Sequence, residues 1–208
     1  MTKALGEKVV QARAQKAFER AGTVLARTRY GNVMRSRGSV IPLFIDQIKR
    51  GASITITDPN MTLFLMNLDE AVELMAFAFE HAEPGDLFIQ KADVSIIGDL
   101  ADGVMKVFGE IEKKIIGTCH GEKLYETLMT REERLRSNDM GHYFRISPDG
   151  RSLNYDRFYV EGSVLTEGGE AYTSHNTTRL DVDSVVRKIM TTDYVKEELE
   201  GLPHAVEA

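Results

Sequence analysis

Apolar positions recur at helical spacing from Ala4 to Ala21, with Val10, Ala14, Ala17 and Ala21 on one side and Lys8, Gln11, Gln15 and Glu19 on the other. This predicts an amphipathic helix ended by Gly22, then a strand over Val24–Tyr30 that opens on the buried apolar run Val24–Ala26. A second helix is expected from Pro42, whose fixed φ suits a first turn, up to Gly51, with Leu43, Ile45 and Ile48 as its apolar surface. Ile54–Thr57 alternates isoleucine with threonine and reads as a short strand, and Asp58-Pro59-Asn60 reads as the turn of a hairpin-like piece. Over Asn67–Glu80 the stripe Leu68, Ala71, Val72, Met75 and Phe79 predicts a helix capped by Asn67 or Asp69, its methionine and phenylalanines in the core. A strand at Leu87–Gln90, a helix at Leu100–Phe108 and a strand at Lys113–Gly117 follow, then a helical turn around Leu124, Tyr125 and Leu128. From Arg131 to Thr178 the periodicity fades, which suggests an arm that packs on something else, with Tyr143–Ile146 and Phe158–Val160 as candidate paired strands. A helix over Asp183–Leu199 closes the chain, with Val185, Val186 and Ile189 on one side.

Composition narrows the class. With 208 residues and 42% hydrophobic content the chain can bury a real core, and nothing in it suggests disorder. The net charge of −6 is spread over mixed acidic and basic residues, which argues against nucleic acid or an anionic membrane as partner. Cys119 is the single cysteine, so no intramolecular disulfide can form and a reducing compartment is the simpler expectation. Neither a signal-type apolar region nor an apolar run of spanning length occurs, and the expected location is cytoplasmic, without membrane insertion.

The chemistry concentrates in TRYGNVMRSRGSVIPLF, Thr28–Phe44. Here a strand runs into a glycine-punctuated loop before a helix, the position where open α/β sheets bind ligands. Asn32, Arg35, Ser36, Arg37 and Ser39 supply an amide, two guanidinium groups and two hydroxyls suited to phosphates or sugar hydroxyls. A solvated surface loop is the competing reading. Cys119 and His120 are adjacent and so do not converge as ligands, and His81, His142, His175 and His204 lack zinc spacing, so no metal site is expected.

Several segments, taken in order, carry a resemblance: RYGNVMRSRGSVIPLF, ITITDPNMT at 54–62, DLFIQKA at 86–92, HGEKLYETL at 120–128, DMGHYFRI at 139–146, LNYDRFY at 153–159 and YTSHNTTRLDV at 172–182. Together they resemble the bacterial capsule and lipopolysaccharide nucleotide-sugar enzymes. These are extended short-chain dehydrogenase/reductases that include UDP-N-acetylglucosamine 4,6-dehydratases and capsule-type UDP-glucose 4-epimerases. The resemblance implies an α/β fold: the C-terminal end of a doubly wound, Rossmann-like parallel sheet, a smaller α+β substrate-binding lobe and a C-terminal arm. On that pattern 1–34 is a remnant of the dinucleotide-binding domain, 35–130 the nucleotide-sugar lobe, and 131–208 the arm and closing helix.

The same resemblance implies a chemistry that starts with hydride transfer between the sugar C4 and NAD or NADP. It makes Lys3 the lysine of a Tyr-x-x-x-Lys or Met-x-x-x-Lys motif, with a catalytic and a cofactor-binding role, and places Tyr30 beside the cofactor. Asn32 is expected to face the sugar, Ile41 and Pro42 the nucleotide, Thr55, Ile56 and Thr57 the uracil, with Glu122 also in the substrate site. Leu63 and Cys119 stand where relatives carry arginines for the diphosphate, which leaves Arg35 and Arg37 as the candidates for that group. No G-x-G-x-x-G occurs in the chain, and the position four before Lys3 is not in it. The expectation is therefore the UDP-sugar-binding portion of a dehydratase or epimerase, lacking the N-terminal NAD(P)-binding half, not holding NAD(P) alone and inactive without it. The alternative is a non-catalytic subunit that oligomerises with a full-length relative, homo-oligomers being the other expected assembly. Either way, the first helix and the strand Val24–Tyr30 should expose an apolar face.

Overall fold

The computed structural model describes residues 2–36, 38–118, 120–148 and 169–201. Arg37, Cys119, the segment LNYDRFY and the expected strand Phe158–Val160 lie outside the described residues. The elements are α1 (Thr2–Ala21), β1 (Arg27–Arg29), α2 (Val40–Lys49), β2 (Ile54–Ile56), β3 (Thr62–Leu65), α3 (Leu68–His81), β4 (Leu87–Gln90), β5 (Asp93–Ile96) and α4 (Ile97–Phe108). They continue with β6 (Lys113–Ile115), β7 (Thr127–Met129), α5 (Arg131–Leu135), β8 (Ser137–Asp139), β9 (Tyr143–Ile146), β10 (Tyr172–Thr173), α6 (Val182–Ile189) and α7 (Asp193–Glu200). The fold is mixed α/β, as expected. No helix among the described residues is long and apolar enough to cross a membrane.

The chain forms two compact units. The first gathers Met1–Tyr30, Val72–Lys91 and Thr127–Tyr172. Its sheet runs β1-β4-β9-β8, with β1 parallel to β4 and the other pairs antiparallel. Leu87, Phe88 and Ile89 of β4 are fully buried, as a strand flanked on both edges should be. Leu74 and Ala78 of α3 pack with Phe88, joined by Phe77 and Tyr143. Arg29 of β1 donates to Glu7 Oε2 at 2.6 Å, to Glu133 Oε2 at 2.9 Å and to the Leu128 carbonyl at 2.7 Å. Glu133 also closes the capping box of α5 with Thr130, so one carboxylate serves a helix end and an ion pair.

Three expectations fail in or next to this unit. The buried strand proposed at Val24–Ala26 is absent: the strand is Arg27–Arg29, half-buried, and Val24 is exposed. Of the expected α3 stripe only Ala71 is buried, beside Leu74 and Ala78, while Leu68, Val72, Met75 and Phe79 face outward, with Phe79 90% exposed. Both stripes have helical spacing, and only the position of β4 decides which one is covered. The helical turn expected around Leu124, Tyr125 and Leu128 is absent: Leu124 and Tyr125 lie in a bend, and Leu128 is in the strand β7. The expected strand at Tyr143–Ile146 is present and pairs with β4 and β8.

The second unit gathers Gly31–Ala71, Ala92–Glu126 and Thr173–Ala208. Its core joins Ile41, Phe44 and Ile45 of α2 to Ile54 and Ile56 of β2, Leu100 and Val104 of α4, and Val185 and Ile189 of α6. A Cβ on Gly103 would lie 2.7 Å from Val185 Cγ1, so glycine is what lets α4 and α6 approach. β3 pairs antiparallel with β5, and β2 pairs parallel with β6. That parallel pairing replaces the expected hairpin at Ile54–Asn60. The single closing helix expected over Asp183–Leu199 is two helices, α6 and α7, broken where the Thr191 and Thr192 hydroxyls donate to the Lys188 and Ile189 carbonyls.

Candidate functional site

The loop that opens the second unit is held by backbone contacts to the end of β3. Asn32 O accepts from Met66 N at 3.2 Å, and Met34 N donates to Met66 O at 2.8 Å. Gly31 is required there: a Cβ at this position would sit 2.4 Å from Phe64 Cβ. The Asn32 residue is left exposed. Arg35 adopts φ +78°, a left-handed conformation rare outside glycine. Its guanidinium lies 5.1 Å from the ring centre of Tyr194 and 3.8 Å from Glu197 Oε2, both on α7. Burial raises the Tyr194 phenol pKa, with nearby Glu198 adding to it. Lys49 of α2 pairs with Glu198, a second tie from this unit's core to α7.

Ser39 precedes α2 in extended conformation, as an N-cap residue should, but its hydroxyl makes no capping bond. The buried Oγ has no hydrogen-bond partner among the described residues. An unengaged hydroxyl at a helix amino terminus, where free N–H groups and the helix dipole favour negative charge, suits a phosphate oxygen. Ile41 and Ile56 are 3% exposed and belong to the core, so what they can present to a ligand is backbone. Pro42 is half-buried in the same first turn.

On β2, Thr55 and Gln47 bond reciprocally: Gln47 Nε2 donates to Thr55 Oγ1 at 2.8 Å, and Thr55 N donates to Gln47 Oε1 at 3.1 Å. Gln47 is thus a supporting residue that the sequence reading missed, since nothing in a helix-to-strand spacing of eight announces such a pair. The Thr57 hydroxyl lies 3.2 Å from Glu122 Oε1 and 3.4 Å from Met61 Sδ. Leu63 packs against the core cluster and offers no charge. Asn32, Arg35, Ile41, Pro42, Thr55, Ile56, Thr57, Leu63 and Glu122 therefore all belong to one unit. Lys3, exposed in the first turn of α1, and Tyr30, exposed just after β1, belong to the other. No group of three or more His, Cys, Asp or Glu among the described residues could hold a metal ion.

Known proteins match closely. Residues 1–148 match the family described as "Polysaccharide biosynthesis protein", and residues 149–196 match its companion "Polysaccharide biosynthesis protein C-terminal". A UDP-glucose 4-epimerase of Rickettsia akari is 50% identical over 202 residues, covering 97% of this chain and 59% of the relative. The UDP-glucose 4-epimerase of Rickettsia felis is 49% identical over the same length and coverage. Among solved structures, Pen from Bacillus thuringiensis superposes with a TM-score of 0.73 at 31% identity, covering 92% of this chain and 56% of that one. The chain thus spans about three-fifths of the length of the curated relatives it matches.

Proposed function

Since the chain belongs to the polysaccharide biosynthesis protein family, we propose that it binds a UDP-linked sugar through its second unit, as a portion of an NAD(P)-dependent 4-epimerase or 4,6-dehydratase of surface polysaccharide synthesis. The observation that carries this reading is the alignment of 97% of the chain with UDP-glucose 4-epimerases at 50% identity. The donor set is compatible with it. The Asn32 amide suits a sugar hydroxyl, the Ser39 hydroxyl at the start of α2 suits a phosphate oxygen, and Thr55 and Thr57 present hydroxyls along β2 and its exit. Arg35 can reach an anion by leaving Glu197, because an exposed ion pair of this kind holds it by only about 0–1 kcal/mol.

A nicotinamide cofactor, where bound, would supply hydride exchange with the sugar. Of the residues the family pattern assigns to it, Lys3 and Tyr30 lie in this sequence, both in the first unit. No chemical step is assigned to the chain alone. Calorimetric titration tests both halves of the reading. Saturable binding of UDP-glucose that UDP displaces, with no retained NAD(P), is expected. Absence of UDP-glucose binding overturns the first half, and tight nicotinamide binding by this chain alone overturns the second.

A second reading, of a non-catalytic subunit that associates with a full-length relative, draws on the first unit. There Leu5, Val9 and Phe18 of α1 and Val72, Met75 and Phe79 of α3 are exposed, and β1 is an edge strand. A groove of about 350 Å³ between Val24, Leu25, Ala26, Met75 and Phe79 runs along that edge. Co-elution with a full-length relative on gel filtration is the expected result; separate elution removes this reading.

A further inference from the structure

The most tightly built polar cluster outside the opening loop lies in the second unit, at the turn Thr173–Thr177. The Thr173 amide and hydroxyl both donate to Asn176 Oδ1, at 3.0 and 2.9 Å, and the Thr177 hydroxyl donates to the Thr173 carbonyl at 2.8 Å. His175 N donates to Thr173 Oγ1 at 3.2 Å, which fixes the backbone at the tip of the turn. Below the tip, Ser174 is wholly buried. Its Oγ is 2.9 Å from Glu126 N, 3.1 Å from the Thr62 carbonyl and 2.7 Å from Thr62 Oγ1. Thr62 Oγ1 in turn lies 2.9 Å from His175 Nδ1. The Tyr125 ring covers the imidazole at 4.9 Å between centroids, inclined by 34°.

Proton accounting assigns the tautomer. Ser174 Oγ accepts from Glu126 N and gives its only proton to the Thr62 carbonyl. Thr62 then gives its only proton to Ser174 Oγ, so the contact with His175 is satisfied when Nδ1–H donates to Thr62 Oγ1. The reverse arrangement spends the Ser174 proton on Thr62 Oγ1 and forfeits the bond to the carbonyl. With Nδ1 protonated, neutral imidazole carries its lone pair on Nε2. His175 is exposed, and Nε2 has no hydrogen-bond partner among the described residues.

The position of this acceptor is what gives it meaning. Thr62 N donates to Leu124 O at 3.1 Å, which seams Thr57–Thr62 to Glu122–Glu126. The same seam carries the contact of Thr57 with Glu122 and Met61. We infer that His175 is a ligand-contact residue of the second unit, its ring fixed by the buried Thr62–Ser174 pair so that Nε2 accepts a hydrogen bond from a hydroxyl of the bound nucleotide sugar. The identity of the ligand rests on the UDP-sugar reading above, whereas the tautomer does not.

Imidazole ¹H–¹⁵N correlation spectra of the full chain test both parts. A slowly exchanging Nδ1–H on His175 is expected, and Thr62→Val should abolish the slow exchange; an Nε2–H tautomer overturns the inference. Addition of UDP-glucose should shift the Nε2 resonance. A matching shift with UDP assigns the ribose as the hydroxyl source, and a shift with UDP-glucose alone assigns the hexose. His175→Phe keeps the stacked ring and should weaken UDP-glucose binding about threefold to tenfold, the usual worth of one hydrogen bond. If the amides of Asn32 and Thr55 respond to UDP-glucose while Nε2 stays silent, the inference is overturned and the UDP-sugar reading stands. If neither responds, both fall.

Discussion

Arg29 sits between the Glu7 and Glu133 carboxylates at 2.6 and 2.9 Å, with all three side chains mostly shielded from water. Burial by itself disfavours charge, yet the two hydrogen-bonded carboxylates more than offset it and raise the Arg29 pKa above its ordinary value. Removing the cation strands two carboxylates, so Arg29→Met should cost about 2 kcal/mol in urea denaturation, between the ranges for exposed and buried pairs. For Glu133, burial pushes the pKa up, but the Arg29 hydrogen bond and the Thr130 N–H pull it further down, to a net depression. A depressed carboxylate stabilises the fold above its unfolded pKa of about 4.3 and loses that contribution as pH falls through the folded value. The acid limb of a stability–pH curve should therefore be shallower in Glu133→Gln than in the parent chain. In the other unit, Gly31→Ala drives a methyl into Phe64 and should cost about 1–3 kcal/mol. The same change displaces the Asn32 loop, so UDP-glucose affinity should fall with stability, as measured by paired melting and titration.

At the scale of elements, punctuation was more legible than faces. Gly22, Gly51 and Pro42 mark the ends and starts of α1 and α2, because φ > 0 and a fixed φ are local requirements. Asn67 caps α3 as expected: its Oδ1 accepts from Glu70 N at 2.8 Å while Glu70 Oε2 accepts from Asn67 N at 2.7 Å. Asn67→Ala should cost about 1 kcal/mol in thermal unfolding, with little effect on ligand binding. The covered side of α3 was not legible, since Leu68-Val72-Met75-Phe79 and Ala71-Leu74-Ala78 are equally periodic and a distant strand selects between them. β3 and β5 escaped as well, each only four residues long and defined by pairing with the other. The loop chemistry of Asn32, Arg35 and Ser39 could be read from residue types. The Thr62–Ser174–His175 cluster could not, because Thr62 stands more than a hundred positions from the other two.

For the whole molecule, large apolar side chains are the main unbalanced feature of the first unit. Leu5 is 66% exposed and Phe79 90%, beyond what scattered surface residues require, and they flank an edge strand that can accept another. Phe79→Ser should leave the melting temperature unchanged within error while lowering self-association, checked by sedimentation at rising concentration. The proposed ligand recognition lies wholly in the second unit, and amide hydrogen exchange with and without UDP-glucose tests that proposal by position. Slowed exchange over residues 31–36 and 54–57, with α1 unchanged, is the expected result. Protection confined to the first unit, or none at saturating UDP-glucose, would contradict it.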